Sequence, residues 1–240
     1  MLRKQIYCVS LLLAFPVMLY SQMRSVEQNT GANYVGLSVE YGVTSFHGDI
    51  DEGPAPGNLL KNNQAFKIQL SRNFNSLFEA GGRIVFGGMS GEKIRGTNGA
   101  ARHLIFTNSF IEYTFEAGVN LLQFFTNKMS GTFEMYGNLG LGFSDFRTEL
   151  YDPIGDTIVG SYGYDGQKAT TEFVLPLGVK LLYHLSRNST IIVQATTSRV
   201  DTDKLDAMAG NNNRDYYNYY SVGYRYKINL RDKRKRILIK

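Results

Sequence analysis

The chain has 240 residues, of which 43% are hydrophobic, 13% aromatic and 20% charged, a balance that excludes a disordered or collagen-like chain. Gly (25), Tyr (16) and Phe (15) are abundant while Pro is scarce (5) and Trp absent, which favours strands over long helices. Mean hydropathy is −0.22 and the one long apolar run is N-terminal. A bundle of membrane-crossing helices is thereby excluded, but a membrane β-barrel, whose strands alternate polar and apolar residues, is not.

Arg3 and Lys4 open the chain, and Val9 to Tyr20 is apolar apart from Ser10, ending at Ser21 before Gln22. This pattern predicts a secretory signal over residues 1–21. Its removal takes away Cys8, the single cysteine, and with it disulfide and thiol chemistry. The net charge is +5, yet the leader carries two bases and the last ten residues, Arg231 to Lys240, carry +5, leaving residues 22–230 at −2. The pI near 9.1 is therefore a property of the tail, and no nucleic-acid partner is expected for the fold.

Eight strands follow in chain order, each with period-two alternation. Val35, Leu37, Val39, Tyr41 and Val43 oppose Ser38, Glu40, Gly42 and Thr44. Residues 64–74 repeat the pattern and end at the turn signal Asn73-Phe74-Asn75-Ser76. Phe78, Ala80, Ile84 and Phe86 oppose Glu79, Gly81 and Arg83, and the polar, Gly-rich stretch Gly87 to Arg102 reads as a loop. Ile111, Tyr113 and Phe115 oppose Glu112, Thr114 and Glu116, and the apolar segment Ala117 to Ser130 is expected at a membrane interface. Phe133 to Phe143 oppose Glu134, Tyr136, Asn138 and Ser144 before a polar loop, Arg147 to Thr170. Phe173 to Tyr183 oppose Glu172, Gly178 and Lys180. Ile191, Val193 and Ala195 oppose Gln194, Thr196 and Ser198, with a polar loop over Thr202 to Arg214. Tyr220 to Ile228 oppose Ser221, Gly223, Arg225 and Lys227.

Short connections after strands two and six, against long polar ones after strands one, three, five and seven, are the asymmetry of an outer-membrane barrel. The expected fold is all-β: an eight-stranded, antiparallel, up-and-down transmembrane barrel over residues 22–230, facing outer-membrane lipid, with a basic periplasmic tail over 231–240. The strands exceed the roughly 9–11 residues that cross a bilayer at a tilt, so they should project beyond it. The polar face carries Glu40, Glu79, Glu112, Glu116, Glu134 and Glu172 against Lys67, Arg83, Lys180, Arg225 and Lys227. An eight-stranded lumen has room only for its own side chains, so this set is expected to pair into a plug. A proton or ion path is the other use of such a set.

Catalytic, cofactor and metal signals are weak. His184-Leu185-Ser186 has the His-x-Ser spacing of lipid A deacylases but falls at the periplasmic end, so no enzyme activity is expected. Asp201-Thr202-Asp203 with Asp206 lacks the calcium-loop ligands, since Leu205, Asp206 and Asn212 occupy the deciding positions. It reads as a solvated acidic loop, as does Asp49 to Gly53. No cofactor is expected.

Ser45-Phe46-His47-Gly48-Asp49-Ile50, Tyr136 to Gly142 (YGNLGLG), Leu175 to Lys180 (LPLGVK) and Thr202-Asp203-Lys204-Leu205-Asp206 resemble small outer-membrane barrels of Bacteroidota, and are similar to the PorG-like family associated with the type IX secretion system. The resemblance implies a structural or docking component of a secretion or gliding apparatus. In that role Arg231, Lys233, Arg234, Lys235 and Arg236 of the tail would engage periplasmic or outer-membrane protein partners. The other reading is a stand-alone surface barrel for adhesion or envelope integrity, in which the long loops matter and the tail does not.

Overall fold

The computed structural model describes residues 33–47, 63–97, 100–126, 132–163, 170–202, 204–207 and 215–230. The expected signal segment 1–21, the acidic stretch 49–53 and the tail 231–240 lie outside them. The elements are β1 (Tyr34–His47), β2 (Gln64–Asn73), β3 (Phe78–Thr97), β4 (Ala100–Asn120), a short helix α1 (Leu121–Thr126), β5 (Phe133–Asp152), β6 (Thr157–Tyr162), β7 (Thr170–His184), β8 (Ser189–Val200) and β9 (Tyr216–Asn229). All neighbours pair antiparallel. The sheet runs β4-β3-β2-β1-β9-β8-β7-β5, and a β4–β5 pairing closes it. The result is an eight-stranded barrel with β6 as a ninth strand hung on the far end of β5.

Closure leaves each strand one outward and one inward face. Leu37, Val39, Tyr41, Phe66, Ile68, Leu70, Phe115, Leu139, Leu141, Phe143, Leu177, Tyr220, Val222, Tyr224, Tyr226 and Ile228 are exposed aliphatics and aromatics of the exterior. The alternate residues Glu40, Lys67, Glu79, Arg83, Glu112, Lys180 and Arg225 are buried inside. An apolar outside and a charged inside is the reverse of a water-soluble protein and matches lipid as the surrounding solvent. Outward β7 residues from Phe173 to Tyr183 span ten steps of about 3.3 Å, which at a tilt near 40° rises about 25 Å, the height of an outer-membrane apolar band. The chain is an outer-membrane β-barrel.

Short turns mark one rim. Asn75 Oδ1 accepts hydrogen bonds from the Leu77 and Phe78 amides at 2.9 and 2.7 Å, and Ser186 Oγ accepts the Ser189 amide at 3.2 Å. At the third connection Asn120 Oδ1 caps α1 through the Gln123 amide (3.2 Å), and Gln123 Nε2 reaches Ser76 Oγ (2.6 Å). Phe124 and Phe125 of α1 are exposed at the level where aromatic side chains meet a membrane interface. The Leu230 amide bonds Asn33 O on this same rim, so both ends of the barrel strands lie on the inner, periplasmic side.

At the other rim the structure departs from the expected loops. Gly87 to Arg102 is not a loop: β3 and β4 continue in unbroken register from Phe78↔Val119 to Thr97↔Ala100. Residues 147–162 of the second expected loop are also largely paired, since β5 runs to Asp152 and turns back into β6. Glycine and charge obscure the alternation there, but the ladder needs only backbone groups to continue. Two hairpins therefore stand beyond the bilayer.

Candidate functional site

Three layers of side chains fill the lumen. In the middle layer Lys67 Nζ lies 2.7 Å from Glu40 Oε1 and donates to Gln194 Oε1 at 2.5 Å. Arg83 bridges two carboxylates, Glu112 at 2.6 Å and Glu116 at 2.9 Å, and donates from Nε to Thr114 Oγ1 at 2.7 Å. Glu79 receives both Lys180 and a bidentate Arg225, whose Nη1 and Nη2 lie 2.5 and 3.2 Å from its oxygens. Tyr217 and Ser221 donate to Glu112 and Glu40, the second at 2.7 Å. Four carboxylates thus face four cations at almost no exposure, which removes the penalty each would carry alone.

Glycines shape this layer. A Cβ on Gly36 would sit 3.0 Å from Arg225 Cδ, and one on Gly223 would sit 2.4 Å from Glu40 Cγ. The absent side chains leave the width that the two long ones occupy.

Below lies the periplasmic floor. Lys227 Nζ donates to His184 Nδ1 at 3.0 Å, and His184 Nε2 faces Glu134 Oε1 at 3.4 Å. His184 Nδ1 also lies 2.9 Å from Thr190 Oγ1. His184 is buried in the lumen rather than lying interfacially as a bare His before a turn. Tyr136, Leu182 and Ile192 pack as an apolar cluster beside it, and Asn73 donates across the lumen to Tyr136 Oη at 2.9 Å.

Above the charges lies a layer that alternation alone did not single out. Phe46, Val85, Met89, Phe106, Phe110, Phe146, Val174, Val200, Tyr217 and Tyr219 form an apolar core inside the outer end of the barrel. Phe46 meets Phe106 edge-on at 4.8 Å between ring centroids. The outward residues at this level turn polar: Thr107, Arg147, Thr171 and Arg199 are exposed. β4, β5, β7 and β8 thus exchange their faces where they leave the bilayer, because their solvent changes from hydrocarbon to water.

The expected acidic loop Thr202 to Arg214 is corrected in part. Its first residues fold into the mouth, with Leu205 1% and Asp206 0% exposed. Leu205 O accepts Asn108 Nδ2 at 3.1 Å and Thr148 Oγ1 at 3.0 Å, and its amide donates to Asp215 Oδ2 at 3.0 Å. The segment corks the barrel. Asp203 is outside the described residues.

Ten of the eleven expected luminal charges are in these layers. Glu172 is the exception: it has inward parity but sits half-buried near the outer rim, opposite Ser144 and apart from the ion pairs. Setting it aside leaves five acids with five bases. His47 lies at the outer rim stacked on Tyr216, 5.2 Å between ring centroids, and the tail residues Arg231, Lys233, Arg234, Lys235 and Arg236 are outside the described chain.

No family model and no curated protein matches the chain. Solved structures similar to it include the attachment invasion locus protein Ail of Yersinia pestis, 13% identical over 82% of this chain and 99% of that one, TM-score 0.47. A major outer membrane protein of Thermus thermophilus is 12% identical over 81% and 99%, TM-score 0.44. OprG of Pseudomonas aeruginosa is 12% identical over 84% and 99%, TM-score 0.37. At such identities no activity or partner carries over to this chain.

Proposed function

We propose that this barrel is a non-enzymatic, non-conducting docking component of an envelope or secretion apparatus. The reading rests most on the filling of the lumen at three levels: apolar core and cork, ion pairs, floor. A pore so packed has no open path for solute, so its work falls to the parts outside the bilayer. The resemblance to PorG-like barrels supports a type IX secretion or gliding role in a Bacteroidota envelope, with residues 1–21 as the export signal. The tail, through Arg231, Lys233, Arg234, Lys235 and Arg236, is the proposed contact with a periplasmic or outer-membrane protein.

Deleting residues 231–240 tests this. Heat-modifiable gel mobility should survive, and a partner retained by the full chain in native membranes should be lost. Undiminished retention overturns the tail as the contact.

A second reading, a stand-alone surface barrel, is favoured by the β5–β6 hairpin, where Ile154, Ile158 and Val159 are exposed. Aliphatic side chains held out beyond the membrane are characteristic of contact surfaces. Under that reading, shortening this hairpin abolishes function and deleting the tail does not.

A further inference from the structure

Where the apolar exterior ends, three neighbouring strands present two successive polar rungs. Thr197 of β8, Asn218 of β9 and Ser45 of β1 share the lower rung, and Thr197 Oγ1 donates to Asn218 Oδ1 at 2.7 Å. The next rung outward holds Arg199, Tyr216 and His47, with the His47 ring stacked on Tyr216. All six side chains point away from the lumen, on the face that turns toward lipid one rung lower at Ala195 and Tyr220. Directly beneath the rungs the wall is indented. Ala195 and the backbone of Gly178 floor a groove walled by Leu177, Val179 and Tyr220, and Thr197 with Asn218 head it.

We propose that this face holds one lipid of the outer leaflet whose phosphate leaves it net anionic, an acyl chain in the groove and its phosphate against Arg199 and the rungs. The groove lies among Leu177, Val179 and Tyr220, exposed residues of the apolar exterior, so the occupant its walls suit is an acyl chain. Its head coincides with the level at which the belt gives way to water, where a lipid phosphate lies. Arg199 supplies a cation with donors in fork geometry for phosphate oxygens, Asn218 supplies a neutral donor from its amide nitrogen, oriented by the Thr197 hydroxyl on its Oδ1, and Tyr216 has the amphipathic ring favoured at that depth. The rest of the barrel does not attract anions in general, because residues 22–230 carry −2. The cationic feature is local. This site is independent of the tail and of the function proposed above.

The full chain, reconstituted in phosphatidylcholine vesicles with a minor share of phosphatidylglycerol, would be extracted into detergent and weighed by native mass spectrometry. One phosphatidylglycerol should remain per barrel, above its share of the bilayer. Ala195→Phe, which fills the groove without touching the rungs, and Arg199→Gln should each lose it. Arg199→Lys and the inner-turn control Arg187→Gln should keep it. Heat-modifiable mobility establishes that each variant is folded. Retained lipid in the proportions of the bilayer, or retention by either loss variant, overturns the proposal.

Discussion

Glu79→Gln isolates the charge layer with a change of one atom. The Glu79 carboxylate accepts two bonds from Arg225, at 2.5 and 3.2 Å, and an ion pair from Lys180, and its side chain is 3% exposed. The amide keeps the volume and one acceptor but takes the nearest counter-charge from two buried cations. Arg225 retains Ser38 Oγ at 2.9 Å and Lys180 the Tyr136 ring, 5.4 Å from its Nζ, with Glu40 the carboxylate left to both. Breaking a buried pair costs about 3–5 kcal/mol. Since about 1.4 kcal/mol is a factor of ten, the folded-to-unfolded ratio should fall by about two to three and a half decades. Glu172→Gln makes the same chemical change outside the network and should cost no more than about 0.5 kcal/mol. Urea titration in phosphatidylcholine vesicles, with the heat-modifiable band as the folded signal, compares the two. Adding Lys180→Met to Glu79→Gln removes one surplus cation and should recover part of the loss. Equal midpoints for Glu79→Gln and Glu172→Gln would refute the ion-pair account.

Leu177→Arg places a charge against lipid and should cost about 2–4 kcal/mol near the midplane, whereas luminal Ser198→Ala costs far less; vesicle urea titrations compare them. Leu205→Ala empties the cork and should cost about 2–5 kcal/mol if the site cannot collapse, exposing residues 202–207 to limited proteolysis first. Planar-bilayer recordings should give no channel conductance for the wild type or for Leu205→Ala, because the ion pairs still close the lumen beneath. Gly223→Leu crowds Glu40 from within the wall and should shift the unfolding midpoint more than Gly82→Leu, whose added side chain meets open space outside.

Alternation made the barrel readable, because one strand face in lipid and the other in a narrow lumen leave few exceptions to period two. The same signal carried further than it was taken. Phe110 beside Ile111, and Phe146 on the parity of Ser144, put apolar residues on the inward face of the outer half, which is the trace of the apolar core. The extension of β3 and β4 was hidden for another reason: Gly87, Gly88, Gly91 and Gly96 supply no side chain to alternate, although their backbone pairs regularly. Glu172 could not be told from Glu112 by parity, since depth along the strand, and not face, separates them. The cork was hidden by its acids. Asp206 reads as solvent-facing, yet it is buried, as is Asp215, which holds the Leu205 amide. The burial of His184 depends on Lys227 and Glu134 arriving from strands distant in sequence.

The luminal ion pairs Glu40–Lys67, Arg83–Glu112 and Arg83–Glu116 join strands consecutive in the chain, while other luminal bonds reach far across it. Glu79 of β3 waits for Lys180 of β7 and Arg225 of β9, Glu112 of β4 for Tyr217 of β9, and Lys67 of β2 for Gln194 of β8. An incomplete barrel therefore leaves Glu79 short of its cations, and the last strand to arrive supplies a hydrogen-bond partner to three carboxylates: Glu40, Glu79 and Glu112. Closure of the cylinder is then also a proofreading step. A chain that pairs its first seven barrel strands out of register meets β9 with the wrong charges opposite it, and the seam stays open.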